Sequence, residues 1–448
     1  MDKKKEKMTP ERRYELACLI LGGVVLGGAL GCILRPNEWT FAVIPLLGVC
    51  LTALLWCAAA RLWLCRDKQR LLGSYLAQEL RELGLENAHL AENGAVYAWL
   101  PATPGREDLP VIALLAHMDT APRVPGGPVK ARLVPYTGGE IVLNQEKGIV
   151  MTPEEFPDLL DQVGQTLVVT DGTTLLGADD KAGIAEIFAA VEVLCRNPQR
   201  PHGRVALCVT PDEEVGRGAD YVDLEKLGAD FGYTVDGGLL GTLEYENFYA
   251  ASAKVTFHGV NIHPGEGKGK LRNACLMASQ FVSLVPPAED PAHTAGYEGF
   301  YHLCTMAGDE SRAELAWILR DHDWETFAAR KETFRQITTF LCQRYGPGTV
   351  ELTLTDSYYN MKEKILPHPQ LLTWAREAFR KVGVEPRDVP IRGGTDGAQL
   401  SWRGLPCPNL STGGGHFHGV YEYIPTRSLE KMTEMLVELL TGIDETKK

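Results

Sequence analysis

The stretch Leu114-Leu115-Ala116-His117-Met118-Asp119-Thr120 decides how the rest of the chain is read. Val111 to Ala116 is a continuous apolar run after Leu109-Pro110, the composition of a strand buried inside a sheet. It ends on His117 and Asp119, at the carboxyl end where open α/β sheets bind their ligands. With a period of two, both side chains lean to one side, so the carboxylate can hold the imidazole in one tautomer and leave the other nitrogen for a metal. Taken alone, such a pair is more often a hydrogen-bonded surface couple.

Working outward, 448 residues allow two or three domains, and 45% hydrophobic with 23% charged residues is ordinary for a globular enzyme carrying a small membrane part. The net charge of -13 argues against nucleic acid, whose partners usually present a basic face. Cys18, Cys32, Cys50, Cys57 and Cys65 lie in or beside the apolar N-terminus, and the other cysteines are scattered without a CxxC pair. That usage fits a reduced compartment better than a disulfide framework.

Leu16 to Leu34 and Trp39 to Ala60 are uncharged, each long enough to cross a hydrocarbon core of roughly 30 Å as a helix. Arg35-Pro36-Asn37-Glu38 is a turn-length break between them, so a two-helix transmembrane hairpin is expected. Lys3, Lys4, Lys5, Lys7, Arg12 and Arg13 precede the first span and Arg61, Arg66, Lys68 and Arg70 follow the second, against Arg35 alone in the loop. The positive-inside rule then puts both ends, and with them the domain that follows the hairpin, in the cytoplasm of a multi-pass cell-membrane protein. Gly23, Gly27 and Gly31 on one helix face permit close helix approach, although glycine is common in membrane helices anyway. A cleaved signal peptide is the competing reading of the first run.

Beyond the hairpin, Leu71, Leu72, Tyr75, Leu76, Leu80 and Leu83 repeat at helical spacing up to Gly84. Strands are expected at 95–100, 111–116, 165–170 and 204–209, a helix at 181–194, and irregular chain from Pro122 to about Gly139. Near Ala250 the pattern shifts: strands at 252–258, 315–319 and 349–355 surround helices at 275–284 and 326–345. The α/β pattern resumes after about Met361, with helices at 371–382 and 428–440. The expected fold class is α/β, a catalytic domain with a mixed sheet flanked by helices, interrupted by an α+β lid. The expected division is a basic N-terminus with hairpin at 1–66, the catalytic domain at 67–249 and 362–448, and the lid at 250–361.

Four further segments end in acids or histidines. Leu175-Leu176-Gly177-Ala178-Asp179-Asp180-Lys181 puts two acids ahead of a helix, where they could equally be N-terminal caps. Thr210-Pro211-Asp212-Glu213-Glu214 carries three acids at a strand end, either a solvated loop or a cluster whose repulsion a divalent cation relieves. Val235-Asp236-Gly237 and Gly415-His416-Phe417-His418-Gly419 complete the set. Five apolar runs or loops that each end in His, Asp or Glu read together as a metal site.

From about Gln69 to the C-terminus the chain resembles the aminotripeptidase branch (peptidase T) of the dinuclear-zinc exopeptidases that include carboxypeptidase G and aminoacylase. The resemblance rests on AHMDT, LLGADDKAGIAEI, TPDEEVGRGA, YTVDGG, GYEGFYHL, SYYNM, IRGGTDGAQLSWRGLPCPN and TGGGHFHG, all in one order. It implies that His117 and Asp236 bind one zinc, Glu214 and His418 the other, and Asp179 both. It makes Asp119 the residue that orients His117 and Glu213 the general base. His418 is preferred to His416 because the family's ligand directly precedes the glycine. Two Zn2+ per chain are implied, with Co2+ or Mn2+ as alternatives; oxygen and imidazole ligands without thiolate suit hydrolytic zinc.

For substrate, His263 resembles a lid histidine that steadies the scissile carbonyl oxygen. Arg320, Arg392 and Asn360 are candidates for the substrate pocket, with a surface ion pair to Asp321 or Asp323 as the competing reading for Arg320. The chain departs from the family where the hairpin replaces the usual first segment and where Tyr421 replaces a histidine. The implied function is release of the N-terminal residue from short peptides, most of all tripeptides, by a metal-activated water. The alternatives are a related amidohydrolase acting on dipeptides or N-acyl amino acids, and an inactive membrane-anchored zinc-binding scaffold. The partners expected are a short peptide and the membrane, with a homodimer left open.

Overall fold

The computed structural model describes residues 66–443. The chain opens with α1 (Arg66–Glu82), β1 (Glu86–Leu90), β2 (Val96–Leu100), β3 (Ile112–His117), β4 (Arg132–Pro135), β5 (Ile141–Asn144), β6 (Ile149–Met151) and β7 (Thr166–Val169). It continues through α2 (Ala178–Arg196), β8 (Val205–Thr210), β9 (Phe231–Gly237), β10 (Thr242–Glu244), β11 (Tyr249–His258), α3 (Ala274–Leu284), β12 (Phe300–Gly308), β13 (Arg312–Asp321), α4 (Trp324–Tyr345) and β14 (Val350–Tyr358). It closes with α5 (Gln370–Lys381), β15 (Arg387–Asp388), α6 (Asp396–Trp402), β16 (Asn409–Ser411), β17 (Tyr423–Pro425) and α7 (Thr426–Gly442).

These elements form two compact units. The first takes the described chain up to Leu243, Pro367–Asp388 and the chain from Arg403; the second takes Glu244–Leu366 and Val389–Trp402. The first unit is built on an eight-stranded sheet of order β1-β2-β8-β3-β9-β16-β10-β15. β1, β2 and β8 pair antiparallel, whereas β8, β3, β9 and β16 run parallel, so the sheet is mixed. Every residue of β3 and of β8 is buried, as continuous apolar strands in the middle of a covered sheet must be.

Helix α2 packs on β3 and β9 and against α7. Its approach to β9 requires a glycine: a Cβ on Gly183 would lie 1.9 Å from the Val235 carbonyl oxygen. Leu72, Leu76, Ala77 and Leu80 form the buried face of α1, which lies against β1 and β2. β4, β7 and β17 make a separate small sheet. β4 falls inside 122–139, expected to be irregular, because a short and mostly exposed strand carries no apolar alternation and exists only through its antiparallel partner β7.

The second unit is a four-stranded antiparallel sheet of order β12-β13-β11-β14, with α3 and α4 packed against it. Strand β13 alternates in burial along its length, and its inward Leu315 and Leu319 meet Phe281, Phe327 and Phe334 in one core. α4 begins two residues before the expected start because the Asp323 carboxylate accepts the Thr326 N–H at 2.8 Å and caps it.

The membrane part of the expected fold is corrected. Among the described residues no helix is long and apolar enough to cross a membrane. The longest helices show why: α2 carries Asp180, Lys181, Glu186 and Glu192, and α4 carries Glu325, Arg330, Lys331, Glu332 and Arg335. The two proposed spans, 16–34 and 39–60, lie outside the described residues. The expected transmembrane hairpin, membrane partner and multi-pass placement with a cytoplasmic domain thus have no spanning helix behind them among the described residues, and no homodimer is shown.

Candidate metal centre

The parallel register brings the chemical groups together. His117 at the end of β3 pairs with Thr210 at the end of β8, and Leu115 pairs with Thr234 two residues before His117 and Asp236. Three adjacent parallel strands thus release His117, the Glu213–Glu214 turn and Asp236 at one edge. The N-terminus of α2 adds Asp179, and the loop after β16 adds His418.

Two groups of donor atoms result, each within 4.8 Å of one another: His117, Asp179 and Asp236, and Asp179, Glu214 and His418. His117 Nε2 stands 3.0 Å from Asp179 Oδ1 and 3.3 Å from Asp236 Oδ1. His418 Nε2 stands 2.8 Å from Asp179 Oδ2 and 3.1 Å from Glu214 Oε2. Asp179 therefore turns one oxygen to each group.

An outer layer holds these side chains. Asp119 lies 3.3 Å from His117 Nδ1, and its two oxygens accept the backbone N–H groups of Glu213 at 3.0 Å and Glu214 at 3.1 Å. Lys181, buried, donates to the Asp119 carbonyl oxygen at 2.7 Å, and Asp180 accepts the His117 N–H at 2.9 Å. The Asp179–Asp180 peptide is cis. Glu422 accepts three backbone N–H groups, from Leu176 and Gly177 at 2.7 Å and from Asp179 at 3.0 Å, and so fixes the turn that presents Asp179.

The electrostatics fit a cation. Glu214 Oε1 is buried with no hydrogen-bond partner. Hydrogen bonds to Asp179 and Glu214 push the His418 imidazole up to about 10. Burial opposes charge on His117, yet Asp236 and the bonds to Asp119 and Asp179 hold it well above the usual imidazole range. Burial also works against the Asp179 carboxylate, but bonds from His117 and His418 keep it lowered. A divalent ion held by these donors would displace imidazole protons, so metal uptake is expected to release protons and to weaken as pH falls.

The two loop histidines part company. His416 Nε2 turns to Asp158 at 2.9 Å, and that carboxylate also accepts the Tyr423 hydroxyl at 2.7 Å. We expect His418→Ala to remove one bound metal per chain and His416→Ala to keep both, measured by elemental analysis after dialysis. Loss of metal in His416→Ala with retention in His418→Ala would reverse the assignment.

A family model described as Peptidase family M20/M25/M40 matches residues 168–442. The chain belongs to this family. Within the M20 family it is similar to the protein named Peptidase T of Halothermothrix orenii, 52% identical over 366 residues, which are 82% of this chain and 90% of that protein. Peptidase T of Caldanaerobacter subterraneus is 50% identical over 375 residues, 84% of this chain and 91% of that one. Among solved structures, aminopeptidase PepT of Bacillus cereus superposes with a TM-score of 0.70 at 22% identity, over 88% of this chain and 98% of that one. A tripeptidase of Staphylococcus aureus gives 0.71 at 22% identity with the same coverages of 88% and 98%. The structural likenesses speak to the fold, the sequence relatives to the family.

The substrate candidates of this M20 chain lie in the second unit, each with its own surroundings. His263 is exposed, and its Nδ1 accepts the Gly265 N–H at 3.2 Å, which leaves the ring proton on Nε2 as a donor. Arg320 donates to the Leu319 and Ala251 carbonyls at 2.9 and 3.2 Å and lies over the Tyr358 ring. Neither acid considered for it is its partner: Asp321 binds Arg330 at 2.7 Å, and Asp323 caps α4. Arg392 donates to the Gly296 and Glu298 carbonyls at 2.8 Å and to Thr294, which binds the 294–298 loop together. Asn360 is buried, donating to the His322 carbonyl at 3.2 Å and accepting from Asn247 and Lys362.

The residues that sequence reasoning passed over are Glu422, Asp180, Lys181 and Asp158. Asp180 and Lys181 were visible inside the acidic motif. Glu422 sits 246 positions from its first partner, and no local pattern marks such a bond.

Proposed function

We propose that this chain is a metal-dependent aminopeptidase that releases the N-terminal residue from tripeptides. The observation that carries the reading is the pair of donor groups sharing Asp179 with Glu213 on the adjoining turn; identity near one half to proteins named Peptidase T supports the substrate class. We assign His117, Asp179 and Asp236 to one zinc ion and Asp179, Glu214 and His418 to the other. Two such ions supply Lewis acidity toward the scissile carbonyl and toward the attacking water. Glu213 takes the proton of that water as the new C–O bond forms at the first peptide carbonyl. It then gives the proton to the departing amine as the C–N bond breaks. Asp119 acts on both sides of this step, orienting His117 through its carboxylate and holding the Glu213–Glu214 turn through the same oxygens.

The test is release of the free N-terminal residue from tripeptides by the full chain loaded with zinc or cobalt. Release should stop on chelation and return on adding metal back. A loaded protein, with metal content verified, that frees no residue from a panel of tripeptides would sink the reading. A panel including dipeptides and N-acyl amino acids separates the related amidohydrolase activities.

A further inference from the structure

We propose that Gln69 is a positioning residue for the Glu213–Glu214 turn and acts through Asp212; the proposal rests on the reading of Glu213 as general base. Strand β8 ends at Thr210, so its ladder does not hold Asp212, which stands in the left-handed region with φ 58 just before the turn. Gln69 reaches it from α1. The Gln69 Nε2 donates to Asp212 Oδ1 at 2.8 Å, and the Gln69 Oε1 accepts the Asp212 backbone N–H at 3.2 Å. Both ends of one amide thus close on a single residue, which fixes its orientation as well as its distance. The Tyr221 hydroxyl donates to the other Asp212 oxygen at 3.1 Å.

The surroundings give Gln69 this role. It is 2% exposed on a face otherwise made of Leu72, Leu76, Ala77 and Leu80. A buried amide on an apolar face is costly unless both of its ends are bonded, and packing α1 on β1 and β2 needs no amide there. Asp119 holds the next two residues by their N–H groups. The turn is therefore gripped at 213 and 214 by Asp119, two residues past β3, and at 212 by α1. A general base has to be held to within about 0.5 Å, and a misplacement near 1 Å can cost about 100-fold in rate.

The polarity of the pair allows a swap experiment. Gln69→Glu sets two carboxylates face to face and removes the donor; assayed at verified full metal loading, kcat on a tripeptide should fall about 10- to 100-fold with KM unchanged. Adding Asp212→Asn to that variant restores every bond with donor and acceptor exchanged, since the new amide donates to the new carboxylate and the backbone N–H keeps its acceptor. The double variant should recover most of the lost kcat, a coupling that a bulk stability effect does not produce. Should Gln69→Glu fail to fold, Gln69→Met keeps the volume and the packing while deleting both bonds, and should show the same fall in kcat with KM held. Full kcat in Gln69→Glu or Gln69→Met, or a fall that Asp212→Asn does not relieve, overturns the proposal. If Glu213→Ala is inactive while the Gln69 variants are unimpaired, only this inference fails; if Glu213→Ala turns over normally, the general-base reading fails first.

Discussion

Glu213→Ala should lower kcat on tripeptides by about 100- to 10,000-fold, the usual worth of a positioned general base, with both metals expected to stay bound. Glu213 belongs to neither donor group, so its loss leaves the ligands in place. Its backbone N–H bond to Asp119 is also retained, because alanine keeps the main chain. The measurement pairs single-turnover rates with metal content by elemental analysis. Near-normal turnover at full occupancy would remove Glu213 from the mechanism, and a fall in metal content would make it a ligand instead.

Asp179→Ala has a wider effect, because this carboxylate is the member common to both groups. Removing it should weaken both metals by more than the roughly 10- to 100-fold typical of an outer-shell partner, and turnover should vanish with them. Asp236→Ala provides the contrast. It touches only the group with His117, so one metal should remain, held by Asp179, Glu214 and His418. A cobalt titration followed by its visible spectrum distinguishes two lost sites from one. Equal loss in the two variants would mean that Asp179 does not serve both ions.

Much of the catalytic unit was legible because its strands are extreme in composition. Ile112–His117 and Val205–Thr210 are uninterrupted apolar runs, and a short run of that kind with polar groups at its carboxyl end suits a strand covered on both faces of a sheet. Helix α2 was legible through its own apolar spacing. Strand β12 was not, since from Cys304 to Gly308 its side chains are exposed and neither alternation nor apolarity marks them. β1 escaped notice likewise, being a short edge strand at the rim of the sheet. The membrane reading of 16–34 and 39–60 rested on hydropathy, which concerns those segments alone, and no helix of the described chain is long and apolar enough to cross a membrane.

The centre shows the same division between near and far. The acids and histidines announced themselves as chemistry by lying in clusters at strand ends, a local property of the chain. The resemblance already preferred His418 to His416; what the sequence did not carry is where each ring turns, His416 to Asp158, 258 positions away, and His418 to Asp179 and Glu214. The grip of Gln69 on Asp212 spans 143 positions. By itself, the order of residues determined which strands are buried, which segments end in metal-binding chemistry and which family the motifs resemble. Tertiary structure alone decided which oxygen faces which histidine, because hydrogen-bond geometry between distant segments is set by sheet register and helix packing and leaves no periodic trace in the chain.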